Sequence, residues 1–296
     1  MRGDLVWLRL GYCVPFDWGS LIRFLRAHEI SGVEFIDGQC YRRSVFVDGM
    51  VGVIEVRFVA GEEFLLLGVP SAFADVVSVV ERVRRIFDLT ADSRAFANYL
   101  GRDSLLASVV RAYPGLRVPG AWDGFEMAVR IILGQQVSLA AANTLAGRLV
   151  RGFGEAIAVE GEDRLLFLFP TPERLATADI ACIGVTPKRA LAIQALARVV
   201  SSGVLDFSAN IGLEQIISQL IALPGIGSWT AHYIAMRAFG EMDAFPAGDL
   251  ILLRVAAEPG KMLTESQLLK RAEVWRPMRA YAALYLWTDY LASKDK

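Results

Sequence analysis

A lone carboxylate and a glycine turn stand close together in the stretch Leu220 to Arg254, LIALPGIGSWTAHYIAMRAFGEMDAFPAGDLILLR. Its first half ends an apolar helix, turns through Leu223-Pro224-Gly225-Ile226-Gly227 and resumes as a helix at Ser228. Glycine reaches backbone dihedrals that a Cβ bars and lets another chain approach closely. The helix that follows offers unpaired N–H groups and the positive end of its dipole, where a phosphate can sit. Leu223 to Ser228, with Thr230, are therefore candidate phosphate-binding residues, although a plain tight turn accounts for them equally well. Downstream, Asp243-Ala244-Phe245-Pro246-Ala247-Gly248-Asp249-Leu250 opens another helix. A carboxylate at a helix start is ordinarily an N-cap, and that reading holds for Asp243 and Asp249 alike.

The surrounding elements are of two kinds. The first seventy or so residues read as strands with one early helix over Ser20 to Ala27. Gly32 to Ile36, Tyr41 to Val47, Val51 to Val59 and Phe64 to Val69 have strand patterning, and Asp48-Gly49 is a hairpin signal. Ser71 to Phe87 has helical periodicity. From about residue 90 helices follow one another, punctuated at Pro114-Gly115, Pro119-Gly120, Pro170-Thr171-Pro172, Pro224-Gly225 and Pro259-Gly260, with one doubtful strand near Leu165 to Phe169. The expected fold is α+β: a small antiparallel sheet domain with helices over 1–88, then an all-helical body over 89–296. That body is read as two subdomains, about 113–228 and 229–296 with 89–112.

Composition narrows the function class. The 296 residues are 54% hydrophobic and 21% charged, with a formal net charge of −1. No bulk basic field exists, so any nucleic-acid contact must come from a local patch or from backbone amides. Three scattered cysteines, Cys13, Cys40 and Cys182, give neither a zinc spacing nor an Fe–S signature. The start has charge inside its apolar stretch and no small-residue cleavage site, so no signal peptide is expected. No run approaches the ~18 apolar residues of a spanning helix. A cytoplasmic monomer with reduced thiols is expected.

The hairpin followed by FPxxD resembles the helix-hairpin-helix glycosylase superfamily (HhH-GPD). In that family the Asp after the Pro-rich loop is catalytic, which the resemblance carries to Asp249, leaving Asp243 structural. Bifunctional members place a lysine two residues after the last hairpin glycine; here Trp229 stands there, so imine chemistry at that position is unavailable. Further stretches are similar to the bacterial 3-methyladenine DNA glycosylase II (AlkA) family: Phe16-Asp17-Trp18, PGLRVPG at 114–120, ILGQQVS at 132–138, FPTPERL at 169–175, Lys188-Arg189-Ala190 and Trp275-Arg276-Pro277 with Tyr281. They run nearly end to end and in order.

The resemblance implies a monofunctional hydrolase that excises alkylated bases such as 3-methyladenine and 7-methylguanine from double-stranded DNA, with no AP-lyase activity and no required cofactor. Phe24, Trp229, Tyr233 and Trp287 become base-pocket aromatics, and Gln136 the side chain that fills the gap left by the flipped base. Carbonyls of Ile221, Leu223 and Ile226 map to a site for a monovalent cation, Na+ or K+. Breaking an N-glycosidic bond develops positive charge on the sugar, and a carboxylate stabilises that charge or orients water. Aromatic faces hold a cationic base at roughly 1–3 kcal/mol per ring. Arg237, Arg254, Arg276 and Arg279 are candidate phosphate partners, although a solvated helix face accounts for them as well, and His232 is a polar contact near the hairpin. Two rivals remain open: a related glycosylase acting on uracil, hypoxanthine or oxidised purine, and a non-catalytic hairpin module that binds DNA. A nucleosidase acting on small molecules would leave the hairpin without a task.

Overall fold

The computed structural model describes residues 4–258 and 260–294. Pro259 of the expected break at Pro259-Gly260, and the outermost residues of both termini, lie outside them. Five strands, β1 (Leu5–Gly11), β2 (Glu34–Asp37), β3 (Cys40–Val47), β4 (Met50–Phe58) and β5 (Phe64–Pro70), form one sheet in the order β1-β5-β4-β3-β2. Every neighbouring pair is antiparallel. Asp48 and Gly49, both at positive φ, join β3 to β4 as the expected tight hairpin.

Alternation along the strands sends Tyr41, Val45 and Val47, then Ile54 and Val56, then Leu65, Leu67 and Val69 to one face. Helix α1 (Trp18–Ala27) covers that face with Trp18, Leu21, Ile22 and Leu25, and α2 (Val76–Ile86) with Val79, Val83 and Ile86. Helix α2 begins later than Ser71 because the Asp75 side chain caps it, accepting from the Ser78 N–H at 2.9 Å. Strand β2 begins at Glu34 rather than Gly32. Gly32 turns at φ +91° and gives its carbonyl to the N–H groups of Leu166 and Phe167. The doubtful stretch near Leu165 does carry strand: β6 (Glu155–Ala156) pairs with β7 (Phe167–Leu168).

The body is helical: α3 (Ser93–Leu100), α4 (Ala107–Ala112), α5 (Gly124–Leu133), α6 (Leu139–Phe153), α7 (Pro172–Thr177), α8 (Pro187–Ser201), α9 (Leu213–Ile221), α10 (Ser228–Ile234), α11 (Leu250–Val255), α12 (Glu265–Ala272) and α13 (Arg279–Lys294). Helix α10 runs on into a π-helical turn, Ala235–Phe239. None of the helices described is long and apolar enough to cross a membrane. The two hydrophobic cores interlock across the chain: Trp122 packs into the sheet domain's core, whereas Ile30 and Val33 belong to the helical one.

Two polar seams weld these layers. Glu34 and Arg43 of the sheet meet Glu126 and Arg130 of α5, with Arg43–Glu126 at 2.8 Å and Arg130–Glu34 at 3.1 Å. Burial would raise the Glu34 carboxyl, but Arg130 and Arg43 hold it below the usual range. In the second seam, Arg117 of the segment joining α4 to α5 donates to the carbonyls of Cys13, Pro15, Asp88 and Ala91. Gly115 makes that docking feasible: at φ +84°, a Cβ there would stand 2.6 Å from the Pro15 carbonyl carbon.

Candidate active site

Asp249 is both an N-cap and something more. One oxygen, Oδ1, accepts from the backbone N–H groups of Ile251 (3.0 Å) and Leu252 (3.1 Å), as the sequence of a helix start predicts. The same oxygen accepts from the Trp287 indole at 3.0 Å, and Oδ2 accepts from the Trp229 indole at 3.1 Å. All four donors are neutral. Among the described residues Asp249 has no ion-pair partner, so its charge is oriented without being cancelled. Asp243 is the opposite case: Arg276 and Arg279 saturate its carboxylate, which makes it a structural clamp between the loop and α13.

The Asp249 carboxylate opens on a cleft of about 730 Å³ whose walls include Phe24, Trp229, Tyr233 and Trp287. These are the four aromatics expected there, and the structure brings them together from α1, α10 and α13. Tyr233 meets Trp229 at 5.2 Å and Trp287 edge-on at 5.9 Å. The groups that hold these rings were invisible in the sequence. Arg237 donates to the Tyr233 hydroxyl at 2.9 Å and to the Pro119 carbonyl, and its guanidinium lies 4.7 Å from the Phe24 centroid. His28 stacks on Phe24 at 4.0 Å. Burial, reinforced by Arg237, pushes the His28 pKa down to about 4, so its ring is neutral at ordinary pH. Tyr113, Leu116, Leu139 and Lys294 also line the cleft; each comes from a segment remote in sequence from the hairpin.

The arginine expectations need correcting. Arg237 is 5% exposed and Arg279 4%, each locked to protein acceptors, so neither can meet a phosphate. Arg276 is exposed but paired with Asp243 and Glu273. Arg254 remains the exposed cation of the four without an ion-pair partner among the described residues, with its guanidinium 3.4 Å from the Tyr290 hydroxyl. His232 does make a polar contact: its Nδ1 accepts from the Phe245 N–H at 3.2 Å, away from the cleft, and burial lowers its pKa.

The hairpin forms as expected, with Gly225 at φ +79° and Gly227 as a helix cap without a side chain. The first intrahelical bond runs from the Ala231 N–H to the Gly227 carbonyl. Ser228, Trp229 and Thr230 therefore have backbone N–H groups with no partner among the described residues. Not every expected hairpin side chain faces outward. Ile226 is buried, and the buried Thr230 hydroxyl accepts from Gln135 Nε2 at 3.0 Å; the same amide donates to the Gly225 carbonyl. Of Thr230 only the backbone can serve a ligand. The Leu223 carbonyl receives a long 3.3 Å bond from the Ile226 N–H, and Ile221 ends α9, where carbonyls lack intrahelical partners. Gln136 sits exposed at the turn between α5 and α6, at φ +54°, a conformation seldom adopted by residues with a side chain. Exposed Val137 and Leu139 flank it.

Comparison with known proteins identifies the family. The AlkA N-terminal domain matches residues 7–123, and the family described as HhH-GPD superfamily base excision DNA repair protein matches residues 129–277. The chain is 37% identical over 281 residues to a probable bifunctional transcriptional activator/DNA repair enzyme AlkA of Mycobacterium tuberculosis, covering 95% of this chain but 56% of that longer protein. It is 34% identical to DNA-3-methyladenine glycosylase 2 of Escherichia coli, covering 94% of this chain and 95% of the relative. The 3-methyladenine DNA-glycosylase of Archaeoglobus fulgidus has the same fold, with a TM-score of 0.81 at 20% identity over 96% of this chain and 97% of that one. The chain belongs to the HhH-GPD superfamily of base excision DNA repair proteins, in the branch that carries an AlkA N-terminal domain.

Proposed function

We propose that the chain is a monofunctional DNA glycosylase that flips alkylated bases, 3-methyladenine and 7-methylguanine among them, out of duplex DNA and hydrolyses their N-glycosidic bonds. The observation that carries this reading is the uncompensated Asp249 carboxylate, held by four neutral N–H donors at the wall of an aromatic cleft. Such an anion is preorganised for a sugar whose C1′ turns cationic. In the step, the C1′–N bond breaks and its electron pair leaves with the base. Water, oriented by Asp249, forms the new C1′–O bond and releases its proton to solvent. An N-alkylated purine already carries positive charge and departs neutral, so no strong acid is required behind it. Trp229, Tyr233, Trp287 and Phe24 attract that cationic ring. A flipped base costs its stacking, least for a damaged one, and Gln136, with Leu139 and Val137 beside it, fills the gap. The N–H groups of Ser228, Trp229 and Thr230 hold a backbone phosphate near the hairpin, with a Na+ or K+ on the carbonyls of Ile221, Leu223 and Ile226. The chain acts as a monomer in the cytoplasm and needs no redox cofactor for a hydrolysis.

Trp229 at the position of the bifunctional lysine supports the absence of strand cleavage. Lys294, however, stands at the exposed rim of the cleft with its ammonium 5.5 Å from the Tyr290 ring, so the point needs its own measurement. Duplexes carrying 3-methyladenine, 7-methylguanine, hypoxanthine, uracil or 8-oxoguanine distinguish the readings. Release of free methylated base with an intact strand and no borohydride-trapped adduct is expected. Strand nicking with trapping would overturn the monofunctional reading and point to Lys294. Tight duplex binding with no base released from any substrate would favour a non-catalytic module.

A further inference from the structure

We propose that His28 determines base specificity: its Nε2 accepts a hydrogen bond from an N–H on the six-membered-ring edge of the flipped purine. The inference rests on the glycosylase reading and deepens it. His28 caps the C-terminal end of α1 and lines the same cleft as Asp249. Its Nδ1 lies 2.8 Å from the Phe24 carbonyl. A carbonyl only accepts, so Nδ1 carries the hydrogen and Nε2 carries the lone pair. No described residue donates to Nε2. The ring cannot easily rotate away: it stacks on Phe24, and the Arg130 guanidinium donates to the His28 carbonyl, tying the residue to the buried seam. Arg237 and Arg130 face it with positive charge and Glu34 with negative charge, and burial keeps the ring neutral.

The cleft therefore holds a fixed neutral acceptor in a largely aromatic wall. Aromatic faces attract flat cations without reading their edges, so an acceptor at this place supplies the missing discrimination. 3-Methyladenine presents an exocyclic amine on that edge, 7-methylguanine an N1–H and an amine, and hypoxanthine an N1–H alone. Alkylation makes these N–H groups better donors, because a charged donor forms the stronger bond. A base without such a donor would leave Nε2 desolvated and unpaired, and hydrogen-bonding sites reject analogues in this way.

The test compares wild type, His28→Phe and His28→Gln in single-turnover release of 7-methylguanine, hypoxanthine and N1-methylhypoxanthine from duplexes. Phenylalanine keeps the stacking and deletes the acceptor; glutamine restores an acceptor. Expected for His28→Phe is a loss of about tenfold on the first two bases and less than about twofold on N1-methylhypoxanthine. His28→Gln should recover most of that loss. An equal loss on all three bases, or unchanged release of 7-methylguanine by His28→Phe, overturns the role of His28 while leaving the glycosylase reading intact. Wild-type protein that releases none of the three overturns this proposal, and if it releases no 3-methyladenine either, the glycosylase reading falls with it.

Discussion

The molecule handles charge in two contrasting ways. At the seam between sheet and body, Glu34 and Glu126 face Arg43 and Arg130, and the four charges cancel inside a closed network. In the cleft, Asp249 has as many polar contacts, but every one is a neutral N–H. Both arrangements satisfy hydrogen bonding; they differ in what is left over. The seam has no net charge to offer a ligand and acts as a weld. The cleft retains a whole negative charge, aimed and half-exposed, for a cation that arises only during reaction. Polar burial alone therefore does not mark a site; the residual charge does.

That contrast can be broken or sharpened by substitution. The largest effect on stability is expected at the seam, where removing one partner strands a buried charge. Glu126→Leu should cost about 3–5 kcal/mol in denaturant unfolding, with excision per folded molecule unchanged. A stable but inactive Glu126→Leu would make the weld part of the site. In the cleft the balance should reverse. Trp229→Phe and Trp287→Phe each delete one donor to Asp249 while keeping an aromatic ring. Each should slow single-turnover excision by about tenfold to a hundredfold, with little change in unfolding midpoint. Wild-type activity in both variants would mean that the indoles do not orient the carboxylate.

The smallest effect concerns pH. Between pH 4 and 6.5 the unfolded chain protonates His28 more readily than the folded one does, so this group makes stability rise with pH. Asp88 works against it. Burial pushes its pKa up to about 6, despite the Tyr281 hydroxyl and Arg117 that lower it, so the folded state binds the extra proton and stability falls as pH rises through that window. The two slopes oppose each other. Relative to wild type, Asp88→Asn should make melting temperature climb more steeply from pH 4 to 6, and His28→Phe less steeply. Parallel curves for all three proteins would show that neither group titrates as its surroundings dictate.

The parts of this design that were legible in the sequence are those written locally. The alternation in β3 to β5, the Asp48-Gly49 turn, the glycine hairpin and the Asp249 helix start all depend on neighbours a few residues away. Trp229, Tyr233, Trp287 and Phe24 were placed by family resemblance, and the structure draws them into one cleft. What was not legible depends on partners far along the chain. Arg43 occupies an inward position of a strand, and its counterion Glu126 lies 83 residues downstream. Arg237 reads as a surface cation until Phe24, Tyr233 and Pro119 close around it. His28 had no metal-ligand spacing to draw attention, and only the stacking on Phe24 and the cleft behind it reveal a use.

The most direct test of the account is Asp249→Asn. Asparagine caps a helix as well as aspartate, so unfolding and binding to alkylated duplex should match wild type. Single-turnover release of 7-methylguanine should fall at least about a thousandfold, because the charge that meets the cationic sugar is gone. Release within a few fold of wild type by a well-folded Asp249→Asn would contradict the central claim.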